Sequence, residues 1–127
     1  MFEAEKDKYL MKHGFGATRL KAVLFDMDGV LFDSMPNHAY SWSHAMTQFG
    51  LHITPEEAYM HEGRTGGGTI DLLAQRDWGR RATEEEKQTI YKAKSDVFSR
   101  CPEAPRMPGA YELLKKVKAD GFTPMVV

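Results

Sequence analysis

Two aspartates separated by one residue, Asp26 and Asp28, are followed at once by Gly29 and preceded by the apolar run Ala22-Val23-Leu24-Phe25. Carboxylates at this spacing can do two kinds of chemistry. They offer hard oxygen ligands of the kind Mg²⁺ prefers. They also supply one carboxylate that can act as a nucleophile beside another that can serve as general acid and base. If the apolar run is a buried strand, it holds both groups rigidly at the carboxyl-terminal lip of a sheet, where open parallel sheets bind ligands. Gly29 allows a tight turn and a close backbone approach to a phosphate. The competing reading is a solvated Asp-x-Asp-Gly turn between two strands. The apolar run before the acids, and Val30-Leu31-Phe32-Asp33-Ser34 after them, favour the reactive site. An EF-hand calcium loop fits poorly, because that loop places its glycine after a third acid or amide ligand, and here the acids emerge from a strand.

The remaining elements must position this loop. Residues 21–25 read as a core strand, and their continuous apolar run predicts a strand covered on both faces. Residues 37–49 carry Ala39, Trp42, Met46 and Phe49 at helical spacing and stop at Gly50, which predicts an amphipathic helix. In Thr54-Pro55-Glu56-Glu57, Thr54 is read as N-cap, Pro55 as the first helical residue and Glu57 as the partner in a capping box. Residues 63–68 read as a glycine-rich loop. Ile70, Leu73, Ala74 and Trp78 then form a helical stripe ending at Gly79. Thr83-Glu84-Glu85-Glu86 is a second capping box, opening a helix to about residue 99 with Ile90, Ala93 and Val97 inward. Pro102, Pro105 and Pro108 punctuate a linker, and Pro108 is expected to start a helix that ends near Gly121. Residues 122–127 read as a second strand. Residues 1–20 form an extension, with a short helix around residues 2–11 broken by Gly14-Phe15-Gly16. The order is a βαβ unit, with an all-helical segment at residues 36–100 spliced in after its first strand; the fold class is α/β.

Composition narrows the setting. The 127 residues are 42% hydrophobic and 28% charged, which suits an ordinary globular chain rather than a disordered one. A net charge of −1 gives no electrostatic argument for nucleic acid or an anionic membrane as partner. No apolar run reaches membrane-spanning length. The N-terminal residues alternate charges without the apolar stretch of a signal peptide. A single cysteine, Cys101, permits no intrachain disulfide and reads as a small residue near a helix end; a reducing, cytoplasmic setting is expected.

Asp26-Met27-Asp28-Gly29-Val30-Leu31 resembles motif I of the haloacid dehalogenase (HAD) superfamily, in whose phosphotransferase branch the second acid is an aspartate. With a helical segment between this motif and the second strand, residues 21–127 are similar to the β-phosphoglucomutase-like phosphatases. The resemblance implies a Rossmann-like core with a parallel sheet, here its N-terminal part at residues 21–35 and 101–127, and an inserted α-helical cap at residues 36–100. It implies catalysis by Asp26 through an aspartyl-phosphate, with Asp28 as general acid and base. It also implies Mg²⁺, bound by Asp26 and by the backbone carbonyl of Asp28. Gly29 would lie against the phosphate. His38-Ala39-Tyr40-Ser41-Trp42 resembles the His-x-x-x-Trp at the start of the cap, which suggests a hinge or positioning role for His38; a polar helix-surface histidine is the alternative. Asp33 is expected to hydrogen-bond the loop.

Glu62-Gly63-Arg64-Thr65-Gly66 is the candidate specificity loop, with Arg64 and Thr65 binding substrate. Arg64 offers a planar fork for a phosphate; a solvated arginine in a glycine loop is the alternative. Glu62 adds negative charge to such a loop, which makes sense if it meets a metal that neutralises a second phosphate. Together with Pro105-Arg106-Met107-Pro108-Gly109-Ala110, it resembles the branch that hydrolyses inorganic pyrophosphate. The family's motif II Thr or Ser would follow Val127, with a lysine and further acids downstream. The residues are therefore expected to be the N-terminal part of a longer enzyme, inactive alone. The favoured expectation is a Mg²⁺-dependent phosphohydrolase acting on pyrophosphate or a small phosphate ester, as a monomer. A sugar-phosphate mutase and a non-catalytic fragment stay open as alternatives.

Overall fold

The computed structural model of the chain describes residues 2–17 and 19–127. Its elements in chain order are α1 (Glu3–His13), β1 (Ala22–Phe25), α2 (Met35–Met46), a 3-10 turn (Thr47–Phe49), α3 (Pro55–Met60), α4 (Gly66–Asp77), α5 (Glu84–Phe98), α6 (Ala110–Ala119) and β2 (Thr123–Val126). This is an α/β chain whose two strands form a parallel sheet. It separates into two compact units, one of the residues up to Asp33 with Arg106–Val127, the other Ser34–Pro105.

In the first unit β1 and β2 pair from Ala22↔Thr123 to Phe25↔Val126. Two further backbone bonds extend the ladder, Thr123 N–H to the Lys21 carbonyl and Val127 N–H to the Phe25 carbonyl, both at 3.0 Å. Side chains alternate between faces along a strand. Val23 and Phe25 therefore share a face, and they pack with Leu31, Val117, Leu114 and Phe122. Leu24 points the other way and is 61% exposed. The expected strand covered on both faces is thus half right: among the described residues one face carries the core and the other is open. The helix α6 starts later than Pro108, which lies in the preceding turn; Gly109, at φ 78°, is its N-cap. It ends in a Schellman arrangement: Phe122 N–H donates to the Val117 carbonyl and Gly121 N–H to the Lys118 carbonyl, each at 3.1 Å. Gly121 supplies the left-handed φ of 84° that this motif needs. Helix α1 runs two residues beyond its expected end and stops at Gly14, while the Phe2 ring approaches Phe122 at 6.2 Å.

The second unit is all helical. α2 packs against α3 and α5, and α4 against α5. Met46, Leu51, Ile70, Leu73, Ala74 and Ile90 are buried at its centre, with Trp42, Phe49, Trp78 and Val97 around them. The Trp78 indole N–H is satisfied by the Phe49 carbonyl at 3.1 Å. Thr83 and Glu86 form the expected capping box, Glu86 N–H donating to Thr83 Oγ1 at 3.2 Å and Thr83 N–H to Glu86 Oε2 at 2.7 Å. At Thr54 only half a box forms. Glu57 N–H donates to Thr54 Oγ1 at 3.1 Å, but the Glu57 carboxylate is taken by Arg76 at 2.6 Å. Arg76 also donates to Asp77 at 2.8 Å and to the His52 carbonyl. The glycine-rich segment is shorter as a loop than expected: Gly66, Gly67 and Gly68 already form the first turn of α4. Asn37 Nδ2 donates to the Pro102 carbonyl at 2.8 Å, so the chain around Pro102 goes with the helices. Cys101 is half-buried, its Sγ 3.7 Å from Ser41 Oγ and 3.6 Å from the Val97 carbonyl, which is the small-residue packing role expected of it. Among the described residues no helix is long and apolar enough to cross a membrane.

Candidate active site

The strand β1 stops at Phe25, and the two acids follow it directly. The loop after the strand is organised by one carbonyl. The oxygen of Met27 accepts from Val30 N–H at 3.4 Å, Leu31 N–H at 2.9 Å and Phe32 N–H at 3.1 Å. Gly29 N–H closes the turn on the Phe32 carbonyl at 2.8 Å, and Gly29 adopts φ 72°, a left-handed value that suits glycine. Leu31, 7% exposed, anchors the loop in the core, and its carbonyl accepts from Met107 N–H at 2.9 Å. This many local bonds fix the backbone on either side of both aspartates. Asp26 is exposed, one carboxylate oxygen accepting from Met27 N–H at 2.7 Å; Asp28 is half-buried. Asp33 is exposed as well.

The donor set fits a Mg²⁺ ion in part. Two aspartates on a fixed loop supply hard oxygens, but octahedral Mg²⁺ takes six ligands and usually keeps several waters. Among the described residues no three His, Cys, Asp or Glu side chains gather as a ready-made metal cluster.

The other candidate residues lie in the helical unit. His38 sits in α2, its Nδ1 2.8 Å from Lys94 Nζ and its ring 4.4 Å from that of Phe98. Lys94 was not singled out from the sequence. It is 5% exposed, with Nζ 4.7 Å from the centre of the Phe98 ring and 5.7 Å from that of Trp42. The signal was present: Lys94 lies on the inward stripe of α5 with Ile90 and Val97, where a charged residue is out of place unless partnered.

Glu62, Gly63 and Arg64 form an exposed turn after α3. Arg64 N–H donates to the His61 carbonyl at 3.0 Å, and Glu62 N–H to the Tyr59 carbonyl at 3.2 Å. Among the described residues no ion pair engages the side chain of either Glu62 or Arg64. Thr65 has a structural task that the sequence reading did not give it: it is the N-cap of α4, with Oγ1 accepting from Gly68 N–H at 3.2 Å.

These observations define a sheet-lip carboxylate site on a parallel α/β unit, joined in one chain to a helical unit. The family model of the haloacid dehalogenase-like hydrolases matches residues 20–127, and the chain belongs to that family. A phosphoglycolate phosphatase of Haemophilus influenzae is 30% identical over 118 residues, covering 87% of this chain and 52% of the relative. A solved structure from Bacteroides vulgatus, provisionally assigned as a beta-phosphoglucomutase, is 58% identical with a TM-score of 0.88, covering 99% of this chain and 52% of that one. The beta-phosphoglucomutase of Clostridium difficile shares the fold at a TM-score of 0.72 and 21% identity, covering 85% of this chain and 51% of that one. The chain thus spans about half the length of the curated relatives it matches.

Proposed function

We propose that this chain belongs to a Mg²⁺-dependent phosphohydrolase that works through an aspartyl-phosphate, with inorganic pyrophosphate as its preferred substrate. The observation that carries the reading is the Asp26–Asp28 pair, fixed directly after β1 by the bonds that converge on the Met27 carbonyl. In the first half-reaction the Asp26 carboxylate attacks phosphorus. The bond from phosphorus to the leaving oxygen breaks, and that oxygen takes a proton from Asp28. In the second, Asp28 takes a proton from water as the water oxygen attacks phosphorus. The bond to Asp26 breaks, orthophosphate leaves, and both carboxyl groups return to their starting states. Mg²⁺, held by Asp26 and the Asp28 carbonyl, would supply charge neutralisation between anionic nucleophile and anionic substrate. Gly29 would face the phosphoryl group.

Glu62 and Arg64 support the choice of a small, highly charged substrate. Arg64, which meets no carboxylate among the described residues, offers a fork to a second phosphate, and the nearby Glu62 has reason to be there if a metal accompanies that phosphate. His38, which meets Lys94 Nζ at 2.8 Å, is assigned a hinge or positioning role.

A sugar-phosphate mutase is the second reading, favoured by the provisional name of the Bacteroides vulgatus relative. The two differ in what accepts the phosphoryl group. The test is to measure phosphate release by the intact protein with Mg²⁺ from pyrophosphate, phosphoglycolate and sugar monophosphates, alongside conversion of glucose 1-phosphate to 6-phosphate. Fast release from pyrophosphate supports the hydrolase. Slow release from every substrate with fast isomerisation establishes the mutase instead. Glu62→Ala should lower turnover of pyrophosphate selectively; an equal loss on monophosphates removes Glu62 from metal binding.

A further inference from the structure

Three consecutive glycines are an odd way to begin a helix. Glycine is the poorest ordinary helix former, by about 1 kcal/mol per residue against alanine. None of Gly66, Gly67 and Gly68 has the positive φ that would demand glycine. The reason for them lies in what surrounds them. A Cβ on Gly66 would stand 2.3 and 2.5 Å from Cε2 and Cδ2 of the Tyr91 ring. A Cβ on Gly68 would stand 3.0 Å from Thr65 Oγ1 and 3.3 Å from Arg64 Cγ. A Cβ on Gly67 would meet only Lys87 Cδ, at an ordinary 3.7 Å. So one glycine makes room for an aromatic ring of α5, and another makes room for the side chains of Arg64 and Thr65.

Tyr91 belongs to an aromatic group on α2 and α5. Its ring centre is 6.3 Å from that of Trp42 and 6.0 Å from Lys94 Nζ, the cation that meets His38. The first turn of α4 therefore abuts a ring that lies 6.0 Å from the cation meeting His38. The connection runs from Thr65, through its bond to Gly68, into that turn.

We propose that the Tyr91 ring, seated where Gly66 has no side chain, sets the position of the Glu62–Thr65 segment and so makes Tyr91 and Gly66 positioning residues for the substrate's second anionic group. This deepens the phosphohydrolase reading and rests on it. Tyr91 touches no reacting atom; it acts through the backbone that carries Arg64.

Two forces pull Gly66→Ala in opposite directions. Helix propensity alone makes the substitution stabilising, as it does for Gly67→Ala. The Tyr91 contact makes it displace either the ring or the segment. The test compares the variants in the intact protein by two readouts: the rate of trypsin cleavage after Arg64, followed by mass, and KM and kcat for pyrophosphate. Gly66→Ala and Tyr91→Ala should each speed cleavage after Arg64 and raise KM roughly tenfold with little change in kcat, inside the roughly 10²-fold that a misplacement of about 1 Å can cost. Gly67→Ala and Tyr91→Phe should behave as wild type. The double variant Gly66→Ala/Tyr91→Ala should be no worse than Tyr91→Ala, because the clash is gone. The proposal is overturned if Gly66→Ala matches Gly67→Ala in both readouts, or if cleavage speeds up while KM stays unchanged. A wild-type protein that releases no phosphate from any substrate defeats the phosphohydrolase reading instead, and the cleavage rates still report on the Tyr91 contact by themselves.

Discussion

The two units solve the problem of burial differently. The helical unit closes a core of its own: Met46, Leu51, Ile70 and Leu73 are all at 0% exposure, and the helices that bury them follow one another along the chain. Among the described residues of the α/β unit, Phe25, Leu31 and Val117 make the buried core, while Leu24, Met125 and Val126 stay 61%, 49% and 58% exposed. A helix satisfies its backbone internally and needs only one face covered. A parallel strand needs neighbours on both edges and both faces, and these come from distant parts of a chain. The acids assigned to the chemistry stand on the unit with the open sheet, and the residues assigned to positioning stand on the unit with the closed core.

Four experiments put this contrast at risk. The largest effect falls on the α/β unit. Asp26→Asn in the intact protein should lower kcat by something on the order of 10⁴- to 10⁶-fold, the range seen when a covalent nucleophile is removed, while thermal stability stays near wild type. Undiminished turnover of phosphate esters and anhydrides refutes the whole catalytic assignment.

The next effect is on packing. Leu73→Ala should cost about 2–5 kcal/mol in denaturant unfolding of the present chain, because it opens a cavity in a closed core. Leu24→Ala should cost less than about 1 kcal/mol, because that side chain is mostly in solvent already. Equal losses at the two positions remove the distinction between closed and open units.

A smaller difference separates the two helix starts. Thr83→Ala breaks a reciprocal box and should cost about 1–2 kcal/mol. Thr54→Ala loses a single cap bond and should fall nearer 0.5–1 kcal/mol on the same unfolding scale.

The smallest effect is a pH dependence. The hydrogen bond from Arg76, aided by the His52 backbone amide, holds the Asp77 carboxyl at about 2, below its ordinary 3.8. A depressed carboxyl stabilises the fold fully above the unfolded value and loses that contribution as pH falls through the folded one. The helical unit should therefore weaken between about pH 4 and pH 2, and Asp77→Asn should flatten that part of an acid titration followed by circular dichroism. A variant as steep as wild type assigns the acid sensitivity elsewhere; Glu86, held at about 2 by Arg80 and the Thr83 amide, is then the next carboxylate to replace.

Features that depend on near neighbours are legible in the amino-acid order. The strand into Asp26 and Asp28, the caps at Thr54, Thr83 and the C-terminal glycines, and the helical stripes of α2, α4 and α5 are local patterns, and local hydrogen bonds and side-chain periodicity enforce them. Features that join residues far apart in the chain come only from its folding. It gave Glu57 to Arg76 and so left the first capping box half made. It left Leu24 exposed within an apolar strand. It brought Lys94 to His38 across 56 positions and Tyr91 into the space at Gly66. Spacing along a chain cannot report such contacts, because the free energy that selects them comes from packing between elements whose separation in sequence carries no fixed period.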